Sequence, residues 1–188
     1  MFKDIFLTIF SLITSPGATW QKLSEREEDH HSFLNRFMYP LIGLTALAAF
    51  VGFFFGRKHF DLQLAIKETT TVLVTSFVGF FIAAFLLDEV LQRFFNKAKA
   101  PKLSQRFTGY VFSISLVVYI IMDLLPDFSF LRFAPLYTIY VIWEGAKNYM
   151  DIPENKRVAF VVAASLILFI SPAVIEKAMY FLMPGIRT

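Results

Sequence analysis

Five apolar blocks, each long enough or nearly long enough to cross a bilayer as helix, constrain this chain more than any other feature. A hydrocarbon core of about 30 Å takes about 20 residues of helix. Inside it, every backbone N–H and C=O must be satisfied within the chain. The blocks run 37–55, 69–87, 107–125, 128–143 and 158–175. The second reads as helix beyond both of its ends, and the fourth is short and holds Arg132. The expected fold is all-α: a polytopic membrane protein with five transmembrane helices plus an N-terminal interfacial amphipathic helix. Residues 1–36 are expected as a cytosolic N-terminal segment and 37–183 as the transmembrane domain.

The breaks between blocks have local causes. Gly56-Arg57-Lys58 closes the first. Ala100-Pro101 stops the second helix, because proline lacks an N–H and disfavours helix before it. Leu125-Pro126-Asp127 reads as a tight turn, and Ile152-Pro153-Glu154 opens the loop before the fifth block, inside which Pro172 predicts a kink. Met1 is expected as the true start, since no cleavage pattern follows the first apolar residues. With 56% hydrophobic and only 18% charged residues, the chain departs from the roughly 45–50% and about 25% of soluble domains. The absence of Cys removes disulfides, thiolate metal sites and a thiol nucleophile together.

Orientation follows from Lys and Arg placement. With five spans, twelve of these residues fall on the N-terminal side (Lys3, Lys22, Arg26, Arg36, Arg93, Lys97, Lys99, Lys102, Arg106, Lys147, Lys156, Arg157) and six on the other (Arg57, Lys58, Lys67, Arg132, Lys177, Arg187). The positive-inside rule then sets the N-terminus in the cytoplasm and the C-terminus outside. The first fourteen residues read as a helix on the membrane, with Phe2, Ile5, Phe6, Ile9 and Ile13 on one face and Asp4, Thr8, Ser11 and Ser15 on the other. Ser15-Pro16-Gly17 ends it, and Trp20 suits the interface. Packing on the inner end of the bundle is the other reading.

Small residues recur at four-residue spacing: Ala48, Gly52 and Gly56 in the first span, and Thr71, Thr75, Gly79 and Ala83 in the second. Such stripes let helices approach closely in lipid, either within the bundle or across a dimer seam. Ionisable residues gather near the span ends: Asp88, Glu89, Arg106 and Glu144 toward the inner face, and Lys67, Glu68, Asp123, Asp127, Arg132 and Glu176 toward the outer. None is at mid-span, where a charge costs about 2.5–3.5 kcal/mol on insertion scales. Ion pairing and anchoring are therefore expected for Asp88, Arg106, Asp123, Asp127, Arg132 and Glu144. Arg132 in particular is expected to pair with Asp123 or Asp127 across the Pro126 turn. A proton, ion or solute path is the alternative.

Glu25-Arg26-Glu27-Glu28-Asp29-His30-His31 has metal-binding residue types but no closed ligand pattern, and reads as a solvated loop. His59, alone in an outer loop, carries no signal. Phosphate-loop, dinucleotide-binding, nucleophile-elbow and zinc-protease motifs are missing, as are serine and aspartyl intramembrane protease patterns. No catalytic, cofactor-binding or metal-binding residue is assigned, no cofactor is expected, and nothing points to nucleic acid.

Four stretches resemble the Yip family, membrane proteins named for interacting with Ypt/Rab GTPases, and specifically its bacterial branch. Ser15-Pro16-Gly17-Ala18-Thr19-Trp20 resembles the segment with Pro16 and Trp20 before the first span. Met38-Tyr39-Pro40 falls where eukaryotic members have an Asp-Leu-x-Gly-Pro motif, of which Pro40 is the matching residue. Gly109-Tyr110 matches the family's Gly-Tyr pair. Tyr140-Val141-Ile142-Trp143-Glu144-Gly145 resembles the aromatic-to-glycine end of the fourth span, ending on Trp143 and Gly145. The resemblance implies a non-enzymatic scaffold, adaptor or membrane-organising protein of a bacterial inner membrane. Its surroundings would be the lipid bilayer and a membrane or cytosolic protein partner, with a homo-oligomer as a further option. A small transporter or channel for an ion or solute is the competing class. A continuous polar path joining Asp123 and Glu144 would favour it.

Overall fold

The computed structural model of the protein describes residues 2–26, 29–56 and 61–183, and among them all regular structure is helical. In chain order these are α1 (Phe2–Thr14), α2 (Pro16–Ser24), α3 (His30–Phe33), a π-helical turn (Leu34–Met38), α4 (Tyr39–Gly56), α5 (Leu62–Phe95), α6 (Pro101–Leu124), a 3₁₀ stretch (Pro126–Tyr137), α7 (Thr138–Asn148) and α8 (Glu154–Leu182). Glu27, Glu28, Arg57, Lys58, His59 and Arg187 lie outside the described residues.

The helix ends follow from the sequence. Asp29 accepts a hydrogen bond from the Ser32 N–H at 3.2 Å and caps α3. Pro40 lacks an N–H and crowds the carbonyl four residues back. The chain answers with the π turn just before it, where the Tyr39 N–H reaches back to the Leu34 carbonyl. Asp61 caps α5 through the Gln63 and Leu64 N–H groups, and Asn96 closes it in the left-handed conformation, φ 52°. Pro101 and Pro16 occupy first-turn positions of α6 and α2, where the missing N–H costs nothing.

Four helical stretches are long and apolar enough to cross a membrane: His30–Phe53, Leu62–Phe95, Pro101–Leu124 and Glu154–Leu182. α5 and α8 pack antiparallel. Phe95 meets Phe160 with ring centroids 5.6 Å apart, and Gly79 lies against Pro172. α8 remains helical through Pro172. α6 runs alongside α8 in the same direction. Phe107 lies 5.8 Å from Phe160 at one end, here called the Trp20 end, and Asp123 shares a cavity with Glu176 at the other, the Asp123 end.

Because α6 and α8 are parallel, residues 125–153 must return along the bundle. The block expected as one α-helix over 128–143 is instead a 3₁₀ stretch followed by the short α7. Pro135 explains this, since it sits inside the block, deletes a backbone donor and obstructs the turn before it. Phe128 adds a break, with φ −86° and ψ 27°. Twelve residues at a rise of about 2.0 Å and eleven at about 1.5 Å reach up to about 40 Å. That matches the 24 residues of α6, about 36 Å long.

The N-terminal segment forms two helices. α1 buries Ile5, Ile9 and Leu12, while Phe2, Phe6, Leu7, Phe10 and Ile13 remain exposed. The apolar face drawn from the sequence therefore divides, with Ile5 and Ile9 turned to the bundle and Phe2, Phe6 and Ile13 away from it. Phe6 and Ile9 border a groove shared with Val117 of α6. Ser15-Pro16-Gly17 ends α1 as expected, but Pro16 also opens a second helix, α2, which runs to Ser24 and docks on α7.

Candidate functional site

Among the described residues, two places bring the expected motif and polar residues together. The first is a joint at the Trp20 end. Trp20 is fully buried rather than interfacial, and its indole N–H donates to the Val141 carbonyl at 2.9 Å. Its ring stacks on Phe107 at 5.1 Å and touches Tyr110 and Tyr149 at 6.0 and 5.0 Å. Phe33 and Phe37, carried one turn apart into the π turn, each reach Tyr110 at 5.0 Å. Offset and edge contacts at these separations are favourable for aromatic rings.

Two glycines make the joint possible. A Cβ on Gly145 would lie 2.7 Å from ring atoms of both Phe107 and Trp20, and one on Gly109 would lie 2.6 Å from the Phe33 ring. The quoted motif residues thus converge: Pro16 and Trp20 of α2, Gly109 and Tyr110 of α6, and Gly145 of α7. Pro40 stands one step away, at the π turn that delivers Phe33 and Phe37. Trp143 points elsewhere, half-exposed, with the Arg157 guanidinium 5.6 Å from its ring. Phe33, Phe107, Tyr149 and Phe160 complete the joint without any local signal, because Phe107 and Phe160 are ordinary members of apolar blocks and Phe33 and Tyr149 fall between blocks.

The polar candidates separate. Asp88 is 4% exposed and makes no ion pair among the described residues. Its carboxylate accepts from the Ala100 N–H and the Ser104 hydroxyl at 3.1 Å each, and from Gln92 at 2.9 Å, so it fastens the start of α6. Arg106 is half-buried on the second turn of α6. Glu144 accepts from Asn148 at 3.3 Å and lies close to Gly17. Arg132 and Asp127 are exposed, and no ion pair joins Arg132 to Asp123 or Asp127 among the described residues. The expected pairing fails because the 3₁₀ stretch turns Arg132 outward, while Asp123 stays on α6 facing α5 and α8.

The small-residue stripes lie inside the bundle. A Cβ on Gly52 would strike the Asp123 backbone, and one on Gly79 would lie 3.0 Å from Pro172 Cα. Ala48 and Ala83 are buried, and Gly56 ends α4. Thr71 and Thr75 also line the second place, a cavity of about 240 Å³ between α5, α6 and α8. Glu68, Asp123 and Glu176 ring it, Phe112 and Phe169 lie deeper, and Tyr180 donates to Glu176 at 2.7 Å. Asp123 and Glu144 stand at opposite ends of the bundle, with Phe33, Phe80, Phe107 and Leu116 fully buried in its core. Among the described residues, no group of three or more His, Cys, Asp or Glu could hold a metal ion.

The architecture is that of a polytopic α-helical membrane protein whose sequence motifs meet in one packed joint. The Yip1 domain family model matches residues 10–175, a span that includes all four quoted motifs. The chain belongs to the Yip1 domain family. No curated protein and no solved structure matches it.

Proposed function

We propose that this protein is a non-enzymatic scaffold or adaptor of a bacterial inner membrane, with five crossings and a cytoplasmic N-terminus. The observation that carries the reading is the use made of the motif residues. Trp20, Gly109, Tyr110 and Gly145 are consumed in packing α2 onto α6 and α7. Among the described residues they line none of the cavities at α1–α2, at α1–α6 or between α5, α6 and α8, so what the resemblance preserves is a shape. The 3₁₀ stretch with α7 is the fifth crossing, and the exposed apolar side chains of α1 face acyl chains. The Trp20 end, rich in Lys and Arg, is the cytoplasmic face that meets a protein partner. Photo-crosslinking residues placed at Glu25, Arg36 and Lys99, and as controls at Asp61 and Asp127, test this in intact cells. Discrete adducts from the first set alone support an adaptor. Saturable solute uptake by reconstituted vesicles, with no adduct from any position, would replace it with a transporter.

A further inference from the structure

The cavity at the Asp123 end has a property that helix packing does not account for. Serine and threonine inside a membrane helix usually donate to the carbonyl four residues back. Thr69, Thr70 and Thr71 of α5 do so, at 2.8, 2.8 and 2.9 Å. One turn deeper the pattern stops. The Thr75 hydroxyl is buried with no hydrogen-bond partner among the described residues. Ser76 is only 4% exposed, lines the same cavity, and makes no hydrogen bond among the described residues. An unmet hydroxyl in an apolar interior costs roughly 1–3 kcal/mol by protein data, so the Thr75 hydroxyl, beside a Ser76 that opens on the same cavity, marks a place suited to something polar.

The rest of the wall specifies its charge. Glu68, Asp123 and Glu176 approach from three different helices. Glu176 already accepts from Tyr180. Asp123 makes no ion pair or hydrogen bond among the described residues. The carboxylates are not grouped so as to close on one metal ion. Below them lie the rings of Phe112, Tyr119 and Phe169, and aromatic faces attract organic cations. Ser76 lies eight residues beyond Glu68, about 12 Å along the helix. A cavity of about 240 Å³ holds several waters, at about 30 Å³ each in the liquid, or a ligand of a few carbons.

We propose that this cavity binds a small organic ammonium ion. Its charged nitrogen sits at Asp123, its short carbon body lies over Phe112 and Phe169, and a hydroxyl, where the ligand has one as ethanolammonium does, reaches Thr75 and Ser76. The ammonium is either a free amine or the ethanolamine headgroup of a lipid.

Saturation-transfer NMR on the full chain in maltoside micelles tests this, with n-butylammonium and ethanolammonium as probes and n-butanol as the neutral control. Both cations should bind saturably, and butanol should not. Asp123→Asn should weaken both by about tenfold, the size expected when a charge-assisted hydrogen bond is lost. Ser76→Val, which keeps the helix and fills the cavity, should abolish binding even if Asp123→Asn proves unstable. Arg132→Ala, on the exposed surface, should change nothing. Native mass spectrometry from nanodiscs with and without ethanolamine phospholipid separates the two sources. Retention of that lipid, lost in Ser76→Val, assigns the headgroup, and binding of the free amines alone assigns a soluble ligand. Equal binding of butanol and butylammonium, binding unaffected by Ser76→Val, or no binding of amine or lipid overturns the proposal.

Discussion

Trp20 is where the N-terminal helices are held, and its replacement has a calculable effect. The ring is fully buried against Phe107, Tyr110 and Tyr149, and its N–H donates to the Val141 carbonyl. Truncating a buried tryptophan to alanine costs about 3–5 kcal/mol. Trp20→Phe keeps most of the apolar contact and removes the hydrogen bond. Val141 lies within α7, where its carbonyl keeps its regular helical partner, so that loss should stay near 1 kcal/mol. The chain has no Cys, so one introduced thiol reports without background. Thr19 is 8% exposed and adjoins Trp20, which makes Thr19→Cys a sensor of α2 undocking. When docking is fast relative to labelling, the rate follows the open population. Each 1.4 kcal/mol is about tenfold, so Trp20→Ala should accelerate labelling by roughly one hundred- to several thousand-fold. Trp20→Phe should accelerate it by less than about tenfold. Labelling that Trp20→Ala leaves unchanged would mean that α2 is not held by this ring, and the joint would lose its structural role.

Four further substitutions probe the same structure through thermal or SDS-induced unfolding in detergent. Gly145→Ala should destabilise by about 1–3 kcal/mol, the usual cost of overpacking, because its methyl would press on both Phe107 and Trp20. An unchanged midpoint would show that the rings yield freely. Asp88→Ala should cost about 1–3 kcal/mol by leaving the Ala100 N–H or the Ser104 hydroxyl unmet. A smaller loss would show that water replaces the carboxylate. Arg132→Ala and Asp127→Ala should each stay within about 0.5 kcal/mol, as exposed positions do, whereas a large loss from either would restore the expected ion pair.

The spans were legible because length and apolarity alone decide what can cross a bilayer. α5 extends past both ends of its apolar block, as its composition suggests. The fourth block misled because hydropathy is blind to backbone chemistry: its residues are apolar enough, but Pro135 removes a donor an α-helix needs. Trp20 misled for another reason. A tryptophan outside a span is most simply read as an interface anchor, and its partner Val141 lies 121 residues away. Asp88 shows the limit of reading charges by proximity in sequence, since its carboxylate meets a backbone N–H and a hydroxyl. The cavity was hidden because Thr75 sits in register with a stripe of small packing residues. Only the position of its hydroxyl sets it apart.

The central claim, a five-crossing bundle in which the 3₁₀ stretch and α7 return across the membrane, is tested most directly by side-specific thiol labelling. The Cys-free chain allows single cysteines at Lys99, Asp127 and Asp151, each probed from either side of sealed vesicles with a membrane-impermeant maleimide. Five crossings predict that Lys99 and Asp151 label from the cytoplasmic side and Asp127 from the opposite side. Labelling of Asp127 and Asp151 from the same side would mean that residues 126–148 do not cross, and would contradict the account.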